Sequence, residues 1–328
     1  MTIDIVVPTH NRAALLPRLL ASLKAAQTPD GFEFRVIIVD NNSTDDTRDV
    51  VERARAEWNR PIEYRFEPVL SRSAALNTGL AAVNAELVGI LDDDEEIDTT
   101  WFLVVDRMFR DPEVDFISGP YLPRWGAPPP RWLPPKYRGA IGWMEPGDRR
   151  LRYGRDFWGV MCGGNTVVRA AVGRSVGWYH PELGRIGFKP GTGCEDVDFF
   201  QRLMAIDACG YYLPELIIYH YIPPARLTKR FHREWVFNRS VAQAKADSMH
   251  PQPAAHVLGV PRYLLGTAAR AIPFLLASAV SGRANTPEAF TSELSLWELA
   301  GYVRGTISRR RGLRPPQPSA PAAAATGQ

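Results

Sequence analysis

The sequence predicts an α/β fold, a helix-covered sheet continued C-terminally by further helices. Three observations carry this. Through about residue 120, short β-branched runs alternate with stretches whose apolar residues recur at helical spacing. Polar or acidic clusters follow the strand-like runs directly. After about Pro224 the strand signal gives way to a basic stretch and two long apolar-periodic segments.

The elements follow in order. Ile3-Asp4-Ile5-Val6-Val7 is a first strand closed by Pro8, too short and too polar at Asp4 for a secretory signal. Arg12 to Ala26 places Leu15, Leu16, Leu19, Leu20 and Leu23 on one helical face. Arg35 to Val39 is a second, buried strand. The cluster Asn41-Asn42-Ser43-Thr44-Asp45-Asp46 supplies a turn and the N-cap of a helix reaching Trp58. Ser71 to Val83 reads as another helix and Glu86 to Leu91 as another strand. Such alternation implies a parallel sheet, whose ligands bind beyond the carboxyl ends of its strands. Residues 120 to 160, rich in Pro, Gly, Trp and Arg, read as a long functional loop region. A helix is expected near Asp196 to Ile206 and a strand near Leu216 to Tyr219.

The C-terminal part differs in kind. Arg226, Lys229, Arg230, His232, Arg233 and Arg239 make a basic stretch. Tyr263 to Gly282 is apolar but carries Arg270 and Pro273, which argues against a spanning helix and for one lying on a membrane or packed on the protein. Its wheel groups Leu264, Ala268, Ile272, Leu275 and Ala279 opposite Arg262 and Arg270. Pro287 to Ser308 is a further helix, ending in Arg309, Arg310, Arg311 and Arg314. The expected organisation is a catalytic domain over 1–225, a helical, membrane-associating extension over 226–312, and a Pro/Ala-rich disordered tail over 313–328.

Composition bounds the function. A chain of 328 residues, 45% apolar and 23% charged, is of soluble type. A net charge of +3 gives no case for a nucleic-acid partner. The three cysteines, Cys162, Cys194 and Cys209, form no C-x-x-C pair and no disulfide framework, which fits a reducing cytoplasm.

The strongest chemical signal is Asp92-Asp93-Asp94-Glu95-Glu96, directly after the strand ending at Leu91. An acidic run is often only a solvated turn. At the ligand-binding edge of a sheet, clustered carboxylates suit a hard divalent cation, Mg²⁺ or Mn²⁺, shared with substrate phosphates. Asp40, closing the second strand, is placed to hydrogen-bond a base or ribose, or else belongs to a cap cluster. Pro8-Thr9-His10-Asn11-Arg12 is a turn after the first strand that a ligand can also use. Glu195 and Asp196 start a helix, where the dipole favours acids without any function, yet either can take a proton from an acceptor hydroxyl. His220, closing a strand, is either structural or completes an Asp/His metal site.

In order, Pro8-Thr9-His10-Asn11-Arg12, Val39-Asp40-Asn41-Asn42-Ser43-Thr44-Asp45, Ala75-Leu76-Asn77-Thr78-Gly79, Leu91-Asp92-Asp93-Asp94, Gly163-Gly164-Asn165, Glu195-Asp196 and Tyr219-His220 resemble the motif series of family-2 glycosyltransferases of the GT-A fold, over about residues 3 to 235. The resemblance implies a Rossmann-like nucleotide-binding mixed sheet flanked by helices. It implies that Thr9, Asn11, Arg12 and Asp40 line the nucleotide pocket and that Asp92 faces the ribose or base. Asn77 and Asp93 would join the donor site, with Gly164 and Asn165 near the donor sugar. Asp94 would bind the metal, Mg²⁺ or Mn²⁺, joined by His220, and Asp196 with Glu195 would supply the base. The sequence departs from the pattern twice: Leu76 stands where an arginine is usual, leaving Arg72 one turn earlier to supply the charge, and Cys194 stands where glycine is common.

The implied reaction is inverting transfer of a sugar from a nucleotide diphosphate sugar to a glycan or lipid-linked hydroxyl acceptor of the cell envelope. The implied location is cytoplasmic, with docking on the inner membrane face. Nucleotidyl transfer to sugar phosphates predicts a Gly-rich loop after the first strand, where Pro8 to Arg12 has none. A catalytically inactive sugar- or membrane-binding relative would not need the acids at 92, 94, 195 and 196.

Overall fold

The computed structural model describes residues 1–157, 159, 163–184, 193–249 and 254–312. Cys162, Arg314 and the expected tail lie outside the described residues, as do the side chains of Arg309 to Arg311.

The chain runs β1 (Thr2–Thr9), α1 (Leu16–Ala25), β2 (Glu33–Asp40), α2 (Thr47–Glu57), β3 (Ile62–Phe66), α3 (Arg72–Leu80) and β4 (Leu87–Ile90). It continues through β5 (Glu95–Ile97), α4 (Trp101–Phe109), β6 (Phe116–Ser118), β7 (Tyr121–Trp125), β8 (Leu151–Arg152), β9 (Thr166–Arg169), α5 (Ala170–Val176) and α6 (Glu195–Ala205). It ends with β10 (Gly210–Tyr212), β11 (Ile218–Ile222), α7 (Lys229–Met249), β12 (His256–Val257), β13 (Val260–Pro261), α8 (Arg262–Val280) and α9 (Pro287–Gly312).

Eight strands form the main sheet in the order β3-β2-β1-β4-β9-β6-β10-β8. β1 to β4 pair in parallel, as the alternation predicts. β9 enters antiparallel between β4 and β6, so the sheet is mixed. Alternation along each strand assigns side chains to its two faces. Ile3, Ile5, Val7, Val36 and Ile38 pack under α1, α2 and α4, while Val6, Ile37 and Val39 pack under α3 and α6. α1 buries Leu16, Leu19, Leu20 and Leu23, each contributing about 1.5–3 kcal/mol of burial.

A second sheet, β5-β11-β7, stands beside the first. Glu95 and Glu96 belong to its edge strand, so the acidic run is a tight turn followed by a strand, not one loop. The turn before α2 is held by Asp45, whose carboxylate accepts the N–H of Thr47 and of Ala13. The 120–160 segment holds β7, β8 and a 3-10 turn, Pro135–Ile141, between irregular stretches.

The C-terminal helices pack back on that segment. Tyr137 and Val236 share a buried cluster with Phe290 and Leu294, and Arg233 pairs with Glu293. α8 turns Leu264, Ala268, Ala271 and Ser278 inward. The expected wheel face is therefore split: Leu264 and Ala268 are buried, while Ile272 is 53% exposed. The surface is instead built from Tyr263, Ile272, Phe274, Leu276 and Val280. By length and composition α8 is long and apolar enough to cross a membrane.

Candidate active site

A cavity of about 880 Å³ opens beyond the carboxyl ends of β1 and β4. Its walls come from the turn after β1 (Pro8, Thr9, His10, Arg12), the start of α3, the acidic turn, Gly163-Gly164, the start of α6, His220 and the N-terminal half of α7. The 3-10 turn and Trp143 to Pro146 roof it.

The acidic turn is bonded from within. Glu95 accepts the Asp92 N–H at 2.9 Å and is 1% exposed, and its Oε1 has no partner among the described residues. Burial and repulsion from Asp92 push the Glu95 carboxyl well above the usual range. Burial, with Asp94 beside it, pushes Asp93 up to about 7. Asp94 goes the other way: burial opposes ionisation, but His220, Arg226 and Arg12 together hold its carboxyl far below the usual range. Arg226 Nη2 lies 3.2 Å and His220 Nε2 3.4 Å from the Asp94 carboxylate, and Arg12 Nη2 lies 3.9 Å away. Arg12 also reaches Asp93 at 3.8 Å.

The imidazole is seated by the backbone opposite. Gly142 has φ +75, and a Cβ there would fall 2.4 Å from His220 Cε1, so only glycine fits. His220 Nε2 lies 3.1 Å from Arg226 Nη1, and its buried Nδ1 has no partner among the described residues. Asp94 and His220 line the cavity as one hard and one borderline donor, a pair that suits Mn²⁺ or Mg²⁺ once Arg226 moves off Nε2. Among the described residues no three His, Cys, Asp or Glu side chains form a metal-holding group.

On the facing wall Glu195 and Asp196 open α6. Glu195 is 4% exposed, and burial pushes its carboxyl up against the pull of Arg72, 3.1 Å away. Asp196 is half-buried, lines the cavity and accepts the Val197 N–H at 2.9 Å.

Arg12, Arg72, Asp92, Asp93, Asp94, Thr9, Gly164, Glu195, Asp196 and His220 are therefore gathered on one cavity. Four other sequence candidates do not line it. Asp40 is 3% exposed, its carboxylate shared between the Ser43 N–H and the Tyr64 hydroxyl, each at 2.8 Å. Asn11, at φ 51, pins the next turn by accepting the Thr44 N–H and donating its own N–H to Ser43. Asn77 clamps both backbone groups of Tyr179. Asn165 is wholly buried, accepting from the Trp101 indole and donating to the carbonyls of Pro120 and Leu216. An amide that satisfies buried backbone groups looks, in sequence, like one that greets a ligand. Arg226 is what sequence reasoning missed. It lay unmarked in a basic stretch, and its one signal was a place six residues after His220.

Comparison with known proteins identifies the fold and the family. The succinoglycan biosynthesis protein ExoM of Rhizobium meliloti (strain 1021) is 27% identical over 226 residues, 68% of this chain and 68% of that protein. A GalNAc(5)-diNAcBac-PP-undecaprenol beta-1,3-glucosyltransferase of Campylobacter jejuni is 33% identical over 97 residues, covering 29% of this chain and 30% of that one. Among solved structures, the mannosyltransferase PcManGT from Pyrobaculum calidifontis, in complex with GDP-Man and Mn²⁺, superposes with a TM-score of 0.64 at 18% identity, over 94% of this chain and 87% of that chain. GalNAc-T7 with UDP, GalNAc and Mn²⁺ follows at 0.54 and 14% identity, over 77% and 52%. At these identities the superpositions establish the fold, which is GT-A. A profile described as glycosyl transferase family 2 matches residues 4–175, more than half of the chain, and the protein belongs to that family.

Proposed function

We propose that this glycosyltransferase moves a sugar, with inversion, from a nucleoside diphosphate sugar to a hydroxyl of a cell-envelope or lipid-linked glycan. The observation that carries the reading is the gathering of Asp94 with His220, and of Glu195 with Asp196, on one cavity at the carboxyl edge of the sheet. Pro8, Thr9 and the Arg12 stem form the nucleotide end, and Asp92 and Asp93 the floor beneath the ribose and sugar. Asp94 and His220 would hold Mg²⁺ or Mn²⁺, which when bound neutralises charge on the departing diphosphate. Arg12 and Arg226 add positive charge beside that leaving group.

Asp196 is the base. Glu195 is buried and held through one oxygen by Arg72, whereas Asp196 is half-buried and lines the cavity with no cation bound to it among the described residues. It takes the proton of the acceptor hydroxyl, and the acceptor oxygen bonds to the anomeric carbon. The bond from that carbon to the diphosphate breaks on the opposite face, so configuration inverts. The relative from Campylobacter jejuni carries a polyprenyl diphosphate acceptor in its name. A lipid-linked acceptor fits a protein that itself docks on the membrane. The exposed apolar face of α8, with Arg262, Arg270 and Arg283 and no acid between Asp247 and Glu288, supports docking on an anionic surface from the cytoplasmic side.

The test is hydrolysis and transfer from a panel of UDP- and GDP-linked hexoses with Mn²⁺ or EDTA, the product followed by anomeric NMR. Release of nucleoside diphosphate with Mn²⁺ and an inverted product is expected. Retained configuration would overturn the single displacement, and full activity in EDTA the metal.

A further inference from the structure

We infer that Arg72 is a positioning residue that ties the acidic turn to the start of α6, and that it is not a ligand of the donor's phosphates. The inference rests on the transferase reading of the cavity.

Arg72 opens α3, and its guanidinium is forked between two carboxylates. Nη2 donates to Asp92 at 2.6 Å and Nη1 to Glu195 at 3.1 Å. These partners come from segments 20 and 123 residues away, the acidic turn and the start of α6. The planar fork of arginine spans both at once, which a lysine ammonium on one point does not. The third side is closed by Gly163, where a Cβ would fall 2.7 Å from Nη1. A phosphate reaching Arg72 would have to displace either Asp92, whose side chain is a third exposed, or the buried Glu195, which has no other cation within hydrogen-bond reach among the described residues. Position 76, where the family pattern carries its arginine, is filled by a fully buried Leu76 packed in the core with Ala75 and Phe199. The charge has moved one turn back and has taken carboxylate partners. Holding Glu195 fixes the first turn of α6, and with it Asp196, against the donor floor at Asp92.

Arg72→Met and Arg72→Lys separate this from a phosphate contact. UDP or GDP affinity, measured calorimetrically with Mn²⁺, is expected to stay within about threefold. Turnover in Arg72→Met should fall about 10²-fold, the scale of a misplacement near 1 Å. Arg72→Lys should recover roughly a tenth of wild-type turnover. Nucleotide affinity falling in parallel with turnover, or turnover unchanged in Arg72→Met, would overturn the inference. If Arg72→Met does not fold, Arg72→Lys carries the same comparison. Thermal melting of Arg72→Lys, Glu195→Gln and the double variant gives a readout that needs no activity. Non-additive shifts are expected, and additive ones would contradict the link. A wild type that binds nucleotide but releases none from any donor would sink the transferase reading while leaving the melting cycle to judge the link.

Discussion

Asp4 and the acids at 92 to 95 sit at opposite ends of the same pair of parallel strands, and they are treated in opposite ways. Asp4, near the start of β1, is buried and fully served. It accepts from Arg35 Nε and Nη2 at 2.9 and 2.7 Å and from the N–H groups of Asn84 and Ala85 at 2.8 and 3.1 Å. Burial alone would raise its carboxyl, but Arg35 and those N–H groups bring it below the ordinary value. At the other end, Asp93 and Glu95 are just as buried, but burial and the neighbouring charges of Asp94 and Asp92 push them up, and an oxygen of Glu95 is left without a partner among the described residues. One end stabilises the fold. The other, in the proposed site, holds carboxyls that ionise only at a cost, which a cationic ligand would relieve. A buried carboxylate is thus read by its partners and not by its burial.

The comparison breaks most visibly in activity. Asp94→Ala and Asp196→Asn should each lower turnover by about 10²-fold or more, the first with loss of nucleoside diphosphate affinity and the second with affinity nearly unchanged. Asp4→Asn should leave both constants intact. An active Asp196→Asn beside a crippled Glu195→Gln would move the base to its neighbour.

The next effect is on stability. Asp4→Asn should cost about 1.5–3 kcal/mol at pH 7: Arg35 keeps Glu63 at 2.7 Å, but it and the N–H groups of Asn84 and Ala85 lose a charged acceptor. Because the folded value of Asp4 lies below 3.8, its contribution is present above that pH and is lost as the pH falls through the folded value. The deficit measured by denaturation should therefore close in acid. Asp93→Asn should do the reverse. A carboxyl raised to about 7 contributes stability below 3.8 that is lost as the pH rises through about 7. The variant should melt a few degrees above wild type at pH 8 and level with it near pH 4. A wild type that melts higher at pH 8 would remove that cost of ionisation from the account.

How much of this was legible divides along physical lines. β1, β2, β4, α1 and α6 announce themselves, because apolar runs or helical spacing end at turn residues. β6, β9 and β10 are three or four residues long, and their pairing depends on partners far along the chain, so the antiparallel insertion of β9 left no local mark. In the site, Asp92 to Asp94, Glu195, Asp196 and His220 were visible because acids and a histidine at element ends are conspicuous. Asn77 and Asn165 looked alike but clamp backbone, and Arg226 looked like any other arginine of a basic stretch.

The smallest expected effect concerns α8. Ile272→Asp with Leu276→Asp should abolish flotation of the protein with anionic vesicles at low salt and leave soluble-donor hydrolysis within about twofold. Flotation that persists, or a wild type that never floats, would remove this face as the docking surface.

The most direct test of the central claim is a thermal-shift titration of UDP and GDP against wild type and Asp94→Ala, each with Mn²⁺ and with EDTA. Ligand relief of the crowded acids predicts that one nucleotide with Mn²⁺ raises the wild-type melting temperature by several degrees, equivalent to about 2.7 kcal/mol at a hundredfold excess over Kd. The shift should vanish in EDTA and in Asp94→Ala. No shift with either nucleotide, or an equal shift in Asp94→Ala, would contradict it.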